Sequence, residues 1–211
     1  MRFRTIQTGA WLLLLWGSLG AQTGAGPYLG QALPGPRAEL FAPGILNSGL
    51  ATRDVTLMPD GSEIYVGLFL PGFRKAVILE TRREAGGWRA PEVAPFSRDP
   101  RWRCLEPCIS PDGRRFFFVS DRPEDPKADQ PGPFGIWVMA REGGGWSEPR
   151  RLPKEVNGAE NCFYPSITRD GVLHFLREEG QGGWIMRATE RQGAWTPAEK
   201  LPPPFNASAH Q

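Results

Sequence analysis

Short apolar runs that alternate with polar residues recur along the chain, and three of them lead into the same kind of turn. Asp54 begins DVTLMPDGSEIYVG, Glu106 begins EPCISPDGRRFFFV and Tyr164 begins YPSITRDGVLHFLR. In each segment, Asp-Gly follows the alternating run and a second apolar run follows at once. Glycine supplies a positive φ and aspartate can hydrogen-bond the backbone of its own turn, so each segment predicts a β-hairpin.

The acidic residues of these turns therefore have a structural role in all three copies. Metal binding or acid catalysis by the aspartates is the alternative interpretation. The residues to which we assign turn formation are Asp60, Gly61, Asp112, Gly113, Asp170 and Gly171.

Each hairpin is followed by a third strand-like run, a glycine-rich turn that ends in tryptophan, and a short fourth apolar run. Trp88, Trp146 and Trp195 occupy the same place in the three copies, which favours a packing role over a sugar-stacking role. A unit of four strands in about 50 residues has the size of one β-propeller blade.

These residues carry a family resemblance that covers roughly residues 38 to 205. The S-P-D-G turn, the aromatic strand after it, Ser120-Asp121-Arg122-Pro123, the I-W-V strand and the G-G-W-x-x-P turn resemble the WD-like β-propeller repeats of the TolB type. The resemblance implies an all-β fold of propeller blades. It implies little about function, because this architecture carries many activities.

In TolB-like repeats the strand that enters the S-P-D-G turn is the innermost strand and lines the central channel. The resemblance therefore implies that equivalent residues of the three copies lie near the channel. A ring of carboxylates and polar groups there can bind a cation or a polar ligand, or can simply be solvated. The candidate ligand-binding residues are Asp54, Glu106, Glu160, Asn161 and Tyr164.

Three blades are fewer than the roughly 4 to 8 that close a propeller. The predicted blades span about 47–96, 101–156 and 157–205, after a linker at 22–37. Residues 38–47 resemble the fourth-strand pieces at 150–157 and 199–206, which predicts a closing strand, and 207–211 is a ragged tail or the start of a missing blade. We expect the N-terminal part of a longer propeller. A complete protein that closes by self-association through open blade edges is the alternative.

The first 21 residues have the layout of a secretory signal peptide, with Arg2 and Arg4 before an apolar run from Ala10 to Trp16. Cleavage after Ala21, or as late as Ala25, predicts an exported protein in the periplasm or outside the cell. The apolar run is too short for a stable membrane span. Removal of both arginines from the formal charge of +2 leaves no net charge, so nothing indicates nucleic acid as a partner.

Cysteine and histidine give little support for catalysis or metal binding. Cys104 and Cys162 stand at equivalent repeat positions, and a disulfide between them and two free thiols are alternative interpretations. Cys104 and Cys108 are about 13 Å apart along a strand, which is too far for a disulfide. No Cys-x-x-Cys or histidine cluster suggests zinc, and no G-x-S-x-G is present. No metal, cofactor or catalytic residue is predicted.

The function predicted from these features is non-catalytic binding of a protein, peptide or envelope glycan at the channel mouth. The rival is a carbohydrate-active propeller hydrolase or lyase that uses acids such as Glu106 and Asp54. A truncated product without an independent function is the third alternative.

Overall fold

The computed structural model describes residues 27–207 except 34, 48, 86 and 126. The predicted signal peptide at 1–21, with its later cleavage position at 25, and residues 208–211 lie outside the described residues. No helix within the described part of the chain is long and apolar enough to cross a membrane.

The first blade is an antiparallel meander. Its second strand pairs with the first and the third, and two short strands pair with the third along its outer edge. The strands of blade 1 are β1 Ala51–Leu57, β2 Glu63–Phe69, β3 Ala76–Glu84, β4 Gly87–Trp88 and β5 Glu92–Val93.

Blades 2 and 3 repeat this arrangement. Blade 2 contains β6 Cys104–Ile109, β7 Arg115–Ser120, β8 Gly135–Glu142, β9 Gly145–Trp146 and β10 Arg150–Arg151. Blade 3 contains β11 Cys162–Ile167, β12 Val172–Glu179, β13 Gly182–Arg191, β14 Ala194–Trp195 and β15 Glu199–Lys200. Short helical turns lie at Pro27–Gly30, Pro71–Phe73, Pro95–Ser97 and Lys154–Asn157.

The predicted all-β class with three blades is confirmed. Strand β6 contacts both β1 and β11, so the first strands of the three blades lie side by side. These are the strands that enter the Asp-Gly turns.

The core lies between blades rather than within one sheet. On β7, Phe116 and Phe118 pack with Tyr65 of blade 1, whereas Phe117 packs with Leu173 of blade 3. Both faces of β7 are buried, which explains why its sequence is continuously apolar instead of alternating.

One charged pair joins blade 1 to blade 2, and another joins blade 2 to blade 3. The two pairs use the same two positions of the repeat, but the acidic and the basic residue are exchanged between them. Arg141 of blade 2 donates to both carboxylate oxygens of the buried Glu63 of blade 1, at 2.6 and 3.1 Å. Arg115 of blade 2 pairs with Glu190 of blade 3. Burial raises the pKa of Glu63, but hydrogen bonds from Arg141 and Tyr65 outweigh burial and hold that pKa below its usual value.

A side chain after each fourth strand closes the outer edge of the blade. Asn157 accepts a hydrogen bond from the Ile136 amide at 2.7 Å and donates to the Ile136 and Leu152 carbonyls. Asn206 makes the equivalent three bonds in blade 3. In blade 1 the hydroxyl of Ser97 accepts from the Ile78 amide. These bonds give the third-strand amides an acceptor, whereas the carbonyls of Ile136 and Ile185 also accept from backbone amides on the fourth-strand side.

The N-terminal segment covers the outer face of blade 1. Leu29, from the segment predicted to be a linker, is buried in one cluster with Leu46, Ile64 and Val66. Residues 38–47 were predicted to form a closing strand, but the structure has turns there with a single bridge between Pro43 and Asn47. A strand needs a neighbour for its ladder, and none of the described residues offers this segment one.

The Cys104–Cys162 disulfide considered from the sequence is absent from the structure. Cys104, Cys108 and Cys162 are all free thiols. Cys104 is buried in the cluster between blades 1 and 2, and Cys162 in the cluster between blades 2 and 3. Their equivalent repeat positions put them in different interfaces, which explains why the bridge does not form.

Candidate functional site

Each first strand has a β-bulge at the residue that leads the repeat. The ladder register shifts between Arg53 and Thr56, and the same shift recurs in the other two blades. Asp54, Glu106 and Tyr164 sit in these bulges with φ of 58°, 55° and 55°. Positive φ is unfavourable for residues with a β-carbon. Its recurrence in three copies indicates that the bulge is part of the blade design and redirects these side chains out of the regular pleat.

Glu106 lies at the junction of all three blades and is 3% exposed. One carboxylate oxygen accepts from Nη2 of Arg53 in blade 1 at 3.1 Å. The other accepts from the backbone amide of Tyr164 in blade 3 at 2.6 Å. One side chain from the middle blade thus connects both of its neighbours.

The environment of Glu106 favours the protonated acid. Burial raises the pKa of Glu106 to about 7, and the nearby carboxylate of Asp54 raises it further. The amide of Tyr164 and the cation of Arg53 act in the opposite direction and lower this pKa. Burial also raises the pKa of Asp54, although Arg53 opposes it at 2.9 Å. Arg53 therefore contacts two carboxylates whose charged forms are both disfavoured by burial.

A cleft of about 710 Å³ opens above Glu106. Two arginines that lie over aromatic rings form part of its wall. The Cζ of Arg53 lies 4.7 Å from the Phe69 ring centre, and the Cζ of Arg103 lies 4.5 Å from that of Phe134. Arg103 also pairs with Asp121 at 2.8 Å. The lining residues are Arg53, Phe73, Ala76, Arg103, Leu105, Glu106, Phe134, Phe163, Tyr164, Leu176, Glu178, Gly180, Gln181, Gly182 and Gly183.

The remaining residues predicted for the site occupy different places. The side chain of Asn161 accepts from the Phe134 amide at 2.9 Å and donates to Glu178 at 2.7 Å, so it supports the wall of the cleft. Glu160 is exposed and does not line the cleft. Glu106 and Tyr164 do line it, and Asp54 reaches it only through Arg53.

Sequence reasoning missed the cationic and aromatic part of the cleft. Arg53 and Phe163 stand one residue before the bulge, at the same repeat position, so a comparison of the residues beside each bulge could have found them. Arg103 and Phe134 come from segments between strands, and no repeat pattern marks them.

The turn aspartates are occupied by local hydrogen bonds. Asp60 accepts from the amide and hydroxyl of Ser62, at 2.9 and 2.6 Å. Asp112 accepts from Ser110 and from the Arg114 amide, and Asp170 from Thr168. Within the part of the chain that the structure describes, no group of three or more histidine, cysteine, aspartate or glutamate side chains could hold a metal ion.

The repeated tryptophans pack between elements. Trp88 is buried on blade 1, and Trp195 packs against the cluster between blades 2 and 3. The indole nitrogen of Trp146 donates to the hydroxyl of Tyr65 in blade 1 at 2.8 Å.

No protein-family model and no curated protein sequence matches this chain. Solved structures resemble it at low identity. The putative TolB from Agrobacterium tumefaciens is 21% identical with a TM-score of 0.47, over 71% of this chain and 45% of that protein. TolB from Acinetobacter baumannii is 16% identical with a TM-score of 0.46, over 70% of this chain and 32% of that protein.

A puromycin-hydrolyzing peptidase from Mycobacterium tuberculosis is 20% identical with a TM-score of 0.46, over 75% of this chain and 24% of that protein. The matched part of this chain spans less than half the length of each of these proteins. The likeness concerns the arrangement of strands, and the assignment of three propeller blades rests on the sheets of this chain itself.

Proposed function

We propose that this chain is an exported binding module whose cleft above Glu106 takes a protein, peptide or envelope-glycan ligand. The observation that carries the proposal is the convergence of Arg53, Glu106 and Tyr164, one from each blade, at the floor of a cleft of about 710 Å³. Its size falls within the range of pockets that bind small ligands.

The chemistry of the wall favours a ligand with flat faces and hydrogen-bonding edges. The rings of Phe134 and Phe163 lie 5.3 Å apart and offer apolar surface for a sugar or an aromatic side chain. Arg53 and Arg103 supply donors beside those rings, and Glu178 supplies an acceptor. Both peptides and oligosaccharides present this combination.

A catalytic role in carbohydrate cleavage is the second candidate, and one observation favours it. The buried carboxyl of Glu106 and the half-buried carboxyl of Asp54 share one arginine, and the pKa of Glu106 is raised to about 7. Glycosidases use pairs of carboxyl groups, one of which keeps its proton near neutral pH.

Binding is tested with the purified chain on an array of bacterial envelope glycans and synthetic peptides. Phe163→Ala should weaken binding of any captured probe about tenfold, because an aromatic platform contributes on the order of 1 kcal/mol or more. Phe205→Ala is the matched control, because Phe205 is an exposed ring outside the cleft. Equal binding by both variants, or no captured probe, would contradict the proposal.

Catalysis is tested on the glycans that bind. Glu106→Gln keeps the shape of the side chain but cannot transfer the proton, so an enzyme should lose turnover while it retains binding. Absence of turnover by the unmodified chain across the panel excludes the second candidate for those substrates.

Export and self-association belong to the same proposal and have separate tests. The mass of the mature product should correspond to cleavage after residue 21 or as late as 25. Sedimentation over a range of concentrations should detect association through open blade edges; a monomer at all concentrations would refute that part.

A further inference from the structure

Blade 1 contains a second pocket, on its outer edge and separate from the cleft above Glu106. Its volume is about 540 Å³. The walls are formed mainly by aliphatic side chains and the buried Trp102, and the residues that line it are Leu68, Leu70, Lys75, Val77, Val93, Ser97, Arg98, Pro100 and Trp102.

The other two blades fill the equivalent place with their own side chains. Three residues hold the same position in the fourth strand: Val93, Arg151 and Lys200. Each directly precedes a residue whose backbone amide donates a hydrogen bond to a carbonyl of the third strand. In blade 2 a β-carbon at Gly135 would collide with the guanidinium of Arg151. In blade 3 the amine of Lys200 lies 4.1 Å from the ring centre of Trp184.

The fourth strand of blade 1 has a short side chain where the fourth strands of the other blades have a long cationic one. Val93 replaces the arginine or lysine of the fourth strand, and Val77 stands at the position of Gly135 and Trp184 in the third strand. Neither valine can reach across the groove. The pocket is therefore open because Val93 is short, and its remaining walls come from the loops of blade 1 around the helical turns at Pro71–Phe73 and Pro95–Ser97.

The rim of the pocket is cationic. Lys75 donates to the carbonyl of Pro100, and no carboxylate among the described residues lies within ion-pair distance of its amine. Arg98 on the same rim already pairs with Glu92 at 3.2 Å and donates to the Val93 carbonyl at 3.0 Å. Lys75 is thus the group free to meet a negative charge.

We propose that this pocket binds a small apolar carboxylate, with its hydrocarbon part against Val77, Val93 and Trp102 and its charge at Lys75. An apolar wall with one convergent charge is the usual form of a site for such a ligand. The ligand takes the space that Arg151 or Lys200 occupies in the neighbouring blades. The inference is independent of the function proposed for the cleft above Glu106.

The test is titration calorimetry of the whole chain with butanoate, hexanoate and octanoate. Affinity should rise about fourfold for each added methylene until the pocket is full. Octanamide, which has the same chain without the charge, should bind more weakly than octanoate. Lys75→Met keeps an unbranched apolar side chain at the rim but removes the charge, so octanoate should then bind no more tightly than octanamide.

Val93→Lys supplies the decisive variant, since it places in blade 1 the residue of blade 3, whose neighbour at the Val77 position, Trp184, also has a β-carbon. It should weaken octanoate binding at least tenfold, whereas Val93→Thr, of similar size, should retain most of the binding. Thermal unfolding of each variant separates loss of the pocket from loss of the fold. Unchanged octanoate binding by a folded Val93→Lys chain, or an affinity that does not depend on chain length, would overturn the proposal.

Discussion

The proton on Glu106 makes the stability of the three blades depend on pH in a defined direction. The ordinary pKa of glutamic acid is 4.5, and burial raises that of Glu106 to about 7 in the folded chain. Between these values the folded chain holds a proton that the unfolded chain has lost. The resulting stabilisation is complete below pH 4.5 and is lost as the pH rises through about 7.

The size of this effect follows from the same two pKa values. One pKa unit corresponds to about 1.4 kcal/mol, so the free energy of unfolding should fall by about 3 kcal/mol across the window. Urea unfolding followed by tryptophan fluorescence, at a series of pH values from 4.5 to 8, measures it directly.

Glu106→Gln isolates the contribution of this one group. Glutamine does not titrate, so the free energy of unfolding of the variant should lack the decline that Glu106 causes. Between pH 4.5 and 8, the difference in this free energy between the variant and the unmodified chain should shift by about 3 kcal/mol in favour of the variant. Titrating groups that do not interact with Glu106 contribute equally to both chains and cancel in the difference, whereas Asp54, whose charge acts on Glu106, adds a smaller change in the variant. Parallel curves for the two chains would show that Glu106 is ionised in the fold, and the reasoning from burial would fail.

Three further substitutions test the contacts that hold the blades together, each by urea or thermal unfolding. Arg141→Met removes two hydrogen bonds from the buried carboxylate of Glu63, which keeps only Tyr65 and the more distant Arg82, and should cost about 3 kcal/mol. Arg115→Met, whose partner Glu190 is 32% exposed, should cost at most about 1 kcal/mol; equal costs would refute the role of burial. Asn157→Leu removes three hydrogen bonds to buried backbone groups and should cost about 3 kcal/mol; a loss below about 1 kcal/mol would mean that water replaces the side chain. Gly113→Ala puts a β-carbon at φ +70° and 3.1 Å from a side chain of blade 1, whereas Gly143→Ala puts one at φ +53° with nothing within 4 Å. Both should cost about 1 to 2 kcal/mol, and Gly113→Ala should cost more. The reverse order would show that the contact with blade 1 is not destabilising.

The repeat itself was accessible from the sequence because its signals are local. Alternating runs, Asp-Gly turns and a tryptophan at a fixed place define a blade without any knowledge of distant contacts. For the same reason the position of Glu106 on a first strand could be inferred, and the structure brings Glu106 to the junction of the blades.

The features that were missed depend on contacts between segments far apart in the chain. Arg103 and Phe134 lie 31 positions apart in the sequence and meet only because two loops of blade 2 fold over the same cleft. The closing strand at 38–47 stays a prediction, because it would complete the last blade of a longer ring and the described residues form three blades. Its resemblance to fourth-strand pieces extends to Asn47, which donates to the Phe41 carbonyl much as Asn157 donates to that of Leu152. The sequence could not reveal that the described chain offers this segment no third strand to pair with.

The reversed charges between successive blades make the order of the blades chemically distinguishable. If blade 1 were followed directly by blade 3, Glu63 would face Glu190, and both side chains would carry the same charge. If blade 2 preceded blade 1, Arg115 would face Arg83, which is equivalent to Arg141. Like charges at a packed interface are costly, so the two pairs favour contact of each blade with its correct neighbour. The charges therefore disfavour packing of the blades in the wrong order during folding.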